Sequence, residues 1–582
     1  MRLRALRDAC LGGFLYGSLL YGAVLSLVHV VHNHLGSARD ALITYAAFGL
    51  LYGLWGAGFF GLAWLATGLS ERRGISLGLL VFNLFFWEVF FLYGLTYDQA
   101  PFKPAGAGGM AAVLLFLAVL IAAAVFIASW VLLRLLVALR SRGGLGPAVV
   151  AALLAGLAAH AAAPLYARKE VRPAVKPPPI RAVDTGVKVV LVGFDGADWR
   201  VIRPLMAKGE LPAFAGLVRD GASADLATIH DSNSAVIWAS IYTGEKPERH
   251  GVLDFYRIRL PGMASPGLFP VHRTYFKELS DLVAPLGLTR QIPVDRFSLG
   301  GAPPLWEIAD RAGLPVGVVD GYFYSFPALR PSRPESWFVS YGLDELAARP
   351  SGRIELFTQP KALFRQIRPL LKGGDFYWQS AVLLKLLQER QQPRFVNFYT
   401  HQPDSFQHWY WKWYEPEKFF GVTRRGLAEN ADRIPRLHRD FDRFLGRLLA
   451  QVGPQTVVIV ASDHGHSPTI VHSFYTQHRH GPPGILLMRG GPVKHGLVLQ
   501  GADIYDIYPT VLYLLGLPVP QDVSGKVLLE ALDAGFVRLH PLRRIPSYRG
   551  LGLSPGLPGA SRSGEMNERE IEKLRSLGYI GL

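Results

Sequence analysis

The stretch Lys188-Val189-Val190-Leu191-Val192-Gly193-Phe194-Asp195-Gly196 decides the fold. After Lys188 it runs apolar and valine-rich with no polar alternation, as a strand buried on both faces requires, and Asp195-Gly196 ends it. Two runs of the same kind lie further along. Arg394-Phe395-Val396-Asn397-Phe398-Tyr399 leads to Asp404, and Thr456-Val457-Val458-Ile459-Val460 leads to Asp463-His464-Gly465-His466. A fourth, Pro315-Val316-Gly317-Val318-Val319, follows a helical stretch at 305–312. Strands alternating with helices predict an α/β domain built on a mostly parallel sheet with flanking helices, whose ligands gather beyond the carboxyl ends of the strands. One Asp after a strand is ordinarily a turn residue or a helix cap. Three at one sheet edge, with His near two of them, point to a shared site.

The residue types at that edge suggest metal chemistry. Asp404 and His408 are four apart, so on a helical turn they share a face and can hold one ion. Asp463 and His464 are adjacent and can serve one site only from a strand-end loop, which Gly465 suits. Mixed carboxylate and imidazole donors favour Zn²⁺ or Mn²⁺ over Mg²⁺ or Ca²⁺. Ser232-Asn233-Ser234 opens the helix-like stretch Ala235 to Gly244. A hydroxyl there ordinarily caps the helix. Beside a metal and the helix-terminal N–H groups, Ser234 could instead be an attacking alkoxide.

Composition separates this domain from what precedes it. Basic residues outnumber acidic ones 61 to 45 over 582 residues, but residues 1–170 hold only 12 basic and 6 acidic side chains. Five apolar stretches there, near 10–31, 42–68, 75–96, 110–137 and 147–166, reach the roughly 20 residues a helix needs to cross a bilayer. They predict an all-α transmembrane bundle over 1–166. Arg2, Arg4, Arg7, Arg72, Arg73, Arg140 and Arg142 fall on one side of those spans, and Arg39 and Lys103 on the other. The positive-inside rule then puts the N-terminus in the cytoplasm and everything after residue 166 outside. Arg168, Lys169, Arg172 and Lys176 count against that orientation. Glu88 in mid-span is a functional candidate because an ionisable group there is costly. His29, His32 and His34 cluster near the outer end of the first span, and Gly49, Gly53, Ala57 and Gly61 repeat at the spacing of close helix packing. A proline-rich linker is expected over 167–186, a catalytic domain over 187–535 with an insertion inside 252–394, and a tail with a short helix over 536–582. The positive excess of the soluble part is dispersed, which argues against a nucleic-acid partner. The single Cys10 excludes an intramolecular disulfide.

Phe194-Asp195-Gly196, Ser234 before Thr243-Gly244, Pro247 and His250-Gly251, then Asp404 with His408, Asp463-His464-Gly465, and His480 ahead of Pro483-Gly484 follow one another in a telling order. In kind and order they resemble the alkaline phosphatase superfamily, and most of all its type I phosphodiesterase/nucleotide pyrophosphatase branch. The resemblance implies two divalent metal ions, one on Asp404, His408 and His480, the other on Asp195, Asp463 and His464 with Ser234 bridging toward it. It leaves His466 and His472 without a role. It also implies a phosphoester hydrolase acting through a phospho-serine on Ser234.

Together with the apolar spans, this describes a multi-pass protein of a bacterial inner membrane with its catalytic domain on the periplasmic side. Its substrate would be a phosphoester, lipid-linked or envelope-derived. The same layout also occurs in phosphoethanolamine- and phosphoglycerol-type transferases, which use a Thr nucleophile. A sulfatase, or a membrane binding protein with a catalytically dead domain, is the remaining alternative.

Overall fold

The computed structural model describes residues 2–33, 35–67, 77–83, 127, 131, 145–166 and 180–551, the last range excepting 231, 265–266, 271–275, 277–279, 281–282, 295–298, 323–331, 342–355, 374, 391, 420, 469–475, 478–480 and 550. The chain divides into two compact units. One comprises Met1–Arg172 with Tyr256–Ile292; the other comprises Pro173–Phe255 with Pro293–Leu582.

The second unit is built on a nine-stranded sheet. Its strands are β1 (Lys188–Phe194), β2 (Gly221–Leu226), β3 (Val316–Val319), β4 (Trp337–Tyr341), β5 (Leu356–Gln359), β6 (Phe395–Thr400), β7 (Thr456–Ala461), β8 (Gly484–Arg489) and β9 (Leu497–Val498). They lie in the order β9-β2-β8-β7-β1-β6-β3-β4-β5. The central five, β7 to β4 in that order, are mutually parallel, while β8 and β5 run antiparallel to their neighbours. This is the mostly parallel, helix-flanked sheet expected from the apolar runs. Every described position of β1 after Lys188, and all of β6 and β7, is buried, which is why those runs show no alternation. Because β6 and β7 pair with β1 in parallel, with Gly193 opposite both Tyr399 and Ala461, the three chains leave the sheet at one edge.

Two helices seal one face of those strands. Helices α5 (Ser234–Thr243), α6 (Asp375–Glu389), α7 (Gln402–Tyr414) and α8 (Arg433–Gln451) belong to this unit. α8 buries Ile434, Leu437, Phe441, Phe444, Leu445 and Leu448, the three-to-four spacing of an amphipathic helix. Phe441 stacks on Phe194 at 4.5 Å and meets Phe376 of α6 edge-on at 4.5 Å. The last residue of β1 is thereby locked from beneath, one position before Asp195. Rings of this size contribute about 3–5 kcal/mol each when fully buried.

Among its described residues, the first unit contains three helical segments long and apolar enough to cross a membrane: Arg4–His32, Ala38–Ala66 and Gly146–Pro164. They coincide with the first, second and fifth of the expected spans. The spans expected near 75–96 and 110–137, with Glu88, lie outside the described residues except for a helical stretch at 77–83. We number the helices α1 (Arg2–Tyr16), α2 (Ala23–His32, joined to α1 by a π-helical turn), α3 (Ala38–Ala66) and α4 (Leu145–Tyr166). α1 and α3 pass so closely that a Cβ on Gly56 would run into the Gly13 carbonyl, and one on Gly22 would lie 2.8 Å from the Gly49 Cα. A Cβ at Gly61 would sit 3.0 Å from Cys10 Sγ. The small-residue repeat is therefore a packing seam. Gly56→Val should wedge the two helices apart at a cost of about 1–3 kcal/mol. The measurement is the thermal midpoint of the detergent-solubilised full chain, and an unchanged midpoint would show that the helices do not pack on this seam.

A polar contact links two helices of this unit. Ser26 Oγ lies 2.6 Å from His160 Nε2, and Tyr45 stacks on His160 at 4.4 Å. The segment Tyr256–Ile292 folds against the ends of α2 and α3. The Ala264 amide donates to Asp40 Oδ1 at 2.9 Å, and the Phe276 ring lies 4.3 Å from Phe48 and 5.2 Å from His29. His29 is thus enclosed by aromatic rings. Among the described residues no group of three metal donors includes it, and His34 lies outside them.

Candidate metal centre

The site forms where the sheet's parallel geometry delivers its strand ends. Gly196, at φ +70, turns the chain directly after Asp195, and a Cβ there would lie 2.9 Å from the Asp404 Cα. That close approach brings the start of α7 against the end of β1. Asp404 occupies the first turn of α7 and His408 the next, with His408 Nε2 3.3 Å from Asp404 Oδ1. Past β7, Asp463 accepts the Gly196 amide on Oδ1 at 3.0 Å, tying the two strand-end loops together.

Ser234 is not the cap of α5. Asn233 takes that position, its side chain accepting from the Val236 amide at 3.4 Å. The Ser234 hydroxyl is left to face the carboxylates. Its Oγ donates to Asp195 Oδ1 at 3.1 Å and lies 3.2 Å from His464 Nε2. Asp195 is held from behind by Tyr399 Oη (2.6 Å) and Trp238 Nε1 (3.1 Å), both donating to Oδ2. Gly193 makes this possible, since a Cβ there would lie 2.6 Å from the Trp238 ring.

His464 Nε2 lies 3.3 Å from Asp463 Oδ2 and 3.5 Å from Asp195 Oδ1. His466 Nε2 lies 3.2 Å from Asp404 Oδ1. All of these side chains are buried. Six of the seven residues expected to make the site, Asp195, Ser234, Asp404, His408, Asp463 and His464, are brought together here. His480 lies outside the described residues.

Three carboxyl groups in one dry cluster repel one another. Burial, then Asp463 and Asp404, push the Asp195 carboxyl well above the usual range, and burial pushes Asp463 up to about 7. Burial also acts to raise Asp404, but the His408 and His466 imidazoles outweigh it and hold that carboxyl low. Imidazole Nε2 atoms lie 3.2 and 3.3 Å from Asp404 Oδ1 and 3.3 Å from Asp463 Oδ2. Such a cluster is costly without a cation.

The spacings match one. Donors about 2.05 Å from a tetrahedral ion stand about 3.3 Å apart. Asp195, Asp463 and His464 form one donor group within 4.8 Å, and Asp404, His464 and His466 form a second. The residues present therefore fit divalent metal ions.

Sequence reasoning missed three contributors. His466, Tyr399 and Trp238 carry no distinguishing motif. His466 stands two residues beyond His464 in an irregular loop, where no periodicity fixes the direction of its side chain. Tyr399 had a findable signal, being the strand residue opposite Gly193 in the register of β1 and β6.

The family model for type I phosphodiesterase/nucleotide pyrophosphatase matches residues 189–510, more than half of the chain. Human arylsulfatase K is 36% identical over 97 residues, covering 16% of this chain and 18% of that protein. The 2,3-bisphosphoglycerate-independent phosphoglycerate mutase of Cereibacter sphaeroides is 35% identical over 97 residues, covering 16% and 19%. The chain thus spans about a fifth of the length of these curated relatives. Among solved structures, an inactive variant of murine ectonucleotide pyrophosphatase/phosphodiesterase 5 with AMP aligns at 13% identity and a TM-score of 0.39, over 60% of this chain and all of that one.

Proposed function

We propose, from the premise that this chain belongs to the type I phosphodiesterase/nucleotide pyrophosphatase family, that it is a membrane-anchored, metal-dependent phosphoester hydrolase with Ser234 as its nucleophile. The observation that carries the reading is the position of Ser234. Its hydroxyl stands at the first turn of α5, 3.1 Å from Asp195 and 3.2 Å from His464, two of the residues the resemblance assigns to one ion.

When bound, the two ions supply Lewis acidity and neutralise the charge of the phosphoryl group. The chain's own residues do the rest. Asp195, anchored by Tyr399 and Trp238, accepts the Ser234 hydrogen bond and points the Oγ lone pairs into the site. The Ser234 hydroxyl gives up its proton to solvent, its Oγ bonds to phosphorus as the bond to the leaving oxygen breaks, and the leaving oxygen takes a proton from solvent. Water then attacks the phospho-serine, and the Ser234 hydroxyl is restored with release of the phosphate product. The α5 N-terminus, with amides not yet engaged in the helix, favours the anionic group throughout.

Membrane anchoring is supported by the three apolar helices. The outward orientation is supported by the inner-loop arginines. A lipid-linked or envelope-derived phosphoester and a bacterial inner-membrane location accord with that arrangement. Carboxylate and imidazole donors favour Zn²⁺, with Mn²⁺ the alternative.

The purified full chain with Zn²⁺ or Mn²⁺ should cleave bis(p-nitrophenyl) phosphate and p-nitrophenyl phosphate in preference to p-nitrophenyl sulfate. A sulfate ester turning over fastest would overturn the phosphoester assignment. With a headgroup-labelled phospholipid, release of the water-soluble label marks hydrolysis, whereas label on an acceptor marks transfer and overturns it.

A further inference from the structure

We propose that His466, to which the resemblance gives no role, is a direct ligand of the ion seated on Asp404. The proposal rests on the two-ion reading above. Its argument is that Asp404, His464 and His466 form one buried donor group within 4.8 Å, and that two imidazoles face one oxygen of Asp404. His408 Nε2 lies 3.3 Å and His466 Nε2 3.2 Å from the same atom, Asp404 Oδ1. Both separations equal the edge of a tetrahedron with metal bonds of about 2.05 Å. The Asp195, Asp463 and His464 group shows the same spacing, 3.3 and 3.5 Å.

The ring is built into that position. The His466 amide donates to Asp198 Oδ2 at 3.0 Å, and Asp198 itself caps the helix Trp199–Ala207. The imidazole stacks on Trp411 at 5.9 Å and 27°, and stands edge-on to His408 at 5.0 Å. The neighbouring Gly196 has to be glycine, since a Cβ there would sit 2.7 Å from His466 Nε2. Residues from two loops and two helices thus leave the ring one orientation, and in it Nε2 faces Asp404. Carboxylate and imidazole donors of this kind are those that hold zinc in catalytic sites.

Two measurements test the inference separately from the function. Metal analysis of the Zn²⁺-loaded full chain should find two ions per chain, and fewer would sink the two-ion reading itself. Given two, His466→Gln should retain one ion after dialysis, while Ser234→Ala retains both. The second measurement needs no variant. An anomalous-difference map of the Zn²⁺-loaded wild-type protein should place an ion about 2.0–2.1 Å from His466 Nε2. An ion bound to Asp404 and His408 but separated from Nε2 by a hydrogen-bonding distance, or two ions retained by His466→Gln, would make His466 an outer positioning residue and overturn the proposal.

Discussion

Ser234→Ala is expected to lower turnover of a phosphodiester by at least about 10⁴-fold, the scale on which loss of a nucleophile acts. Its metal content should stay at the wild-type value. The two readouts diverge because of how Asp195 is held. Tyr399 and Trp238 both donate to Oδ2, so that carboxylate keeps its orientation when the Ser234 hydrogen bond to Oδ1 disappears. His464 likewise keeps its contacts with Asp463 and Asp195. Single-turnover kinetics with bis(p-nitrophenyl) phosphate, paired with metal analysis, checks both expectations. Activity within tenfold of wild type would remove Ser234 from the chemistry, and joint loss of metal and activity would assign it a structural role.

Asp463→Asn is the second large effect. The amide preserves shape and can still accept the Gly196 amide, but it removes the charge that faces His464 and the Asp195 carboxyl. One ion should be lost, with turnover falling at least about 10³-fold, on the scale of removing a preorganised electrostatic partner. Stability of the metal-free protein should move the other way. Asp463, raised to about 7 by burial, is a carboxyl whose folded pKa exceeds its unfolded value. Such a group destabilises the folded state as pH rises above the unfolded value near 4, and the penalty levels off above about 7. Metal-free Asp463→Asn should therefore melt above metal-free wild type at pH 8, and the gap should close as the pH approaches 4. A gap independent of pH would mean that the carboxyl is not held protonated by its surroundings.

Most of the catalytic fold was legible because buried parallel strands have an unusual signature. β1, β6, β7 and β3 are continuous apolar runs, and the observed boundaries differ from those expected by one residue at most. The Asp residues after three of them were legible for the same reason, since a charged group at the end of such a run has to lie at the sheet edge. The strands toward the ends of the sheet were not legible. β2 reads Gly-Ala-Ser-Ala-Asp-Leu, too small and polar to announce itself, and owes its place to pairing with β8. Ser234 illustrates a local ambiguity. Its sequence context fits a helix cap equally well, and only the capping role of Asn233 frees its hydroxyl for the site.

By itself, then, the sequence determined the division into apolar helices and an α/β unit, the parallel core, and the residues at three strand ends. Those are properties of local periodicity and composition, which act over a few residues. Tertiary structure alone decided that Tyr256–Ile292 joins the helical unit, that Tyr399 and Trp238 hold Asp195, and that His466 turns toward Asp404. The last two depend on groups distant in sequence meeting at a glycine that permits close approach, Gly193 or Gly196, and no periodicity records such a meeting.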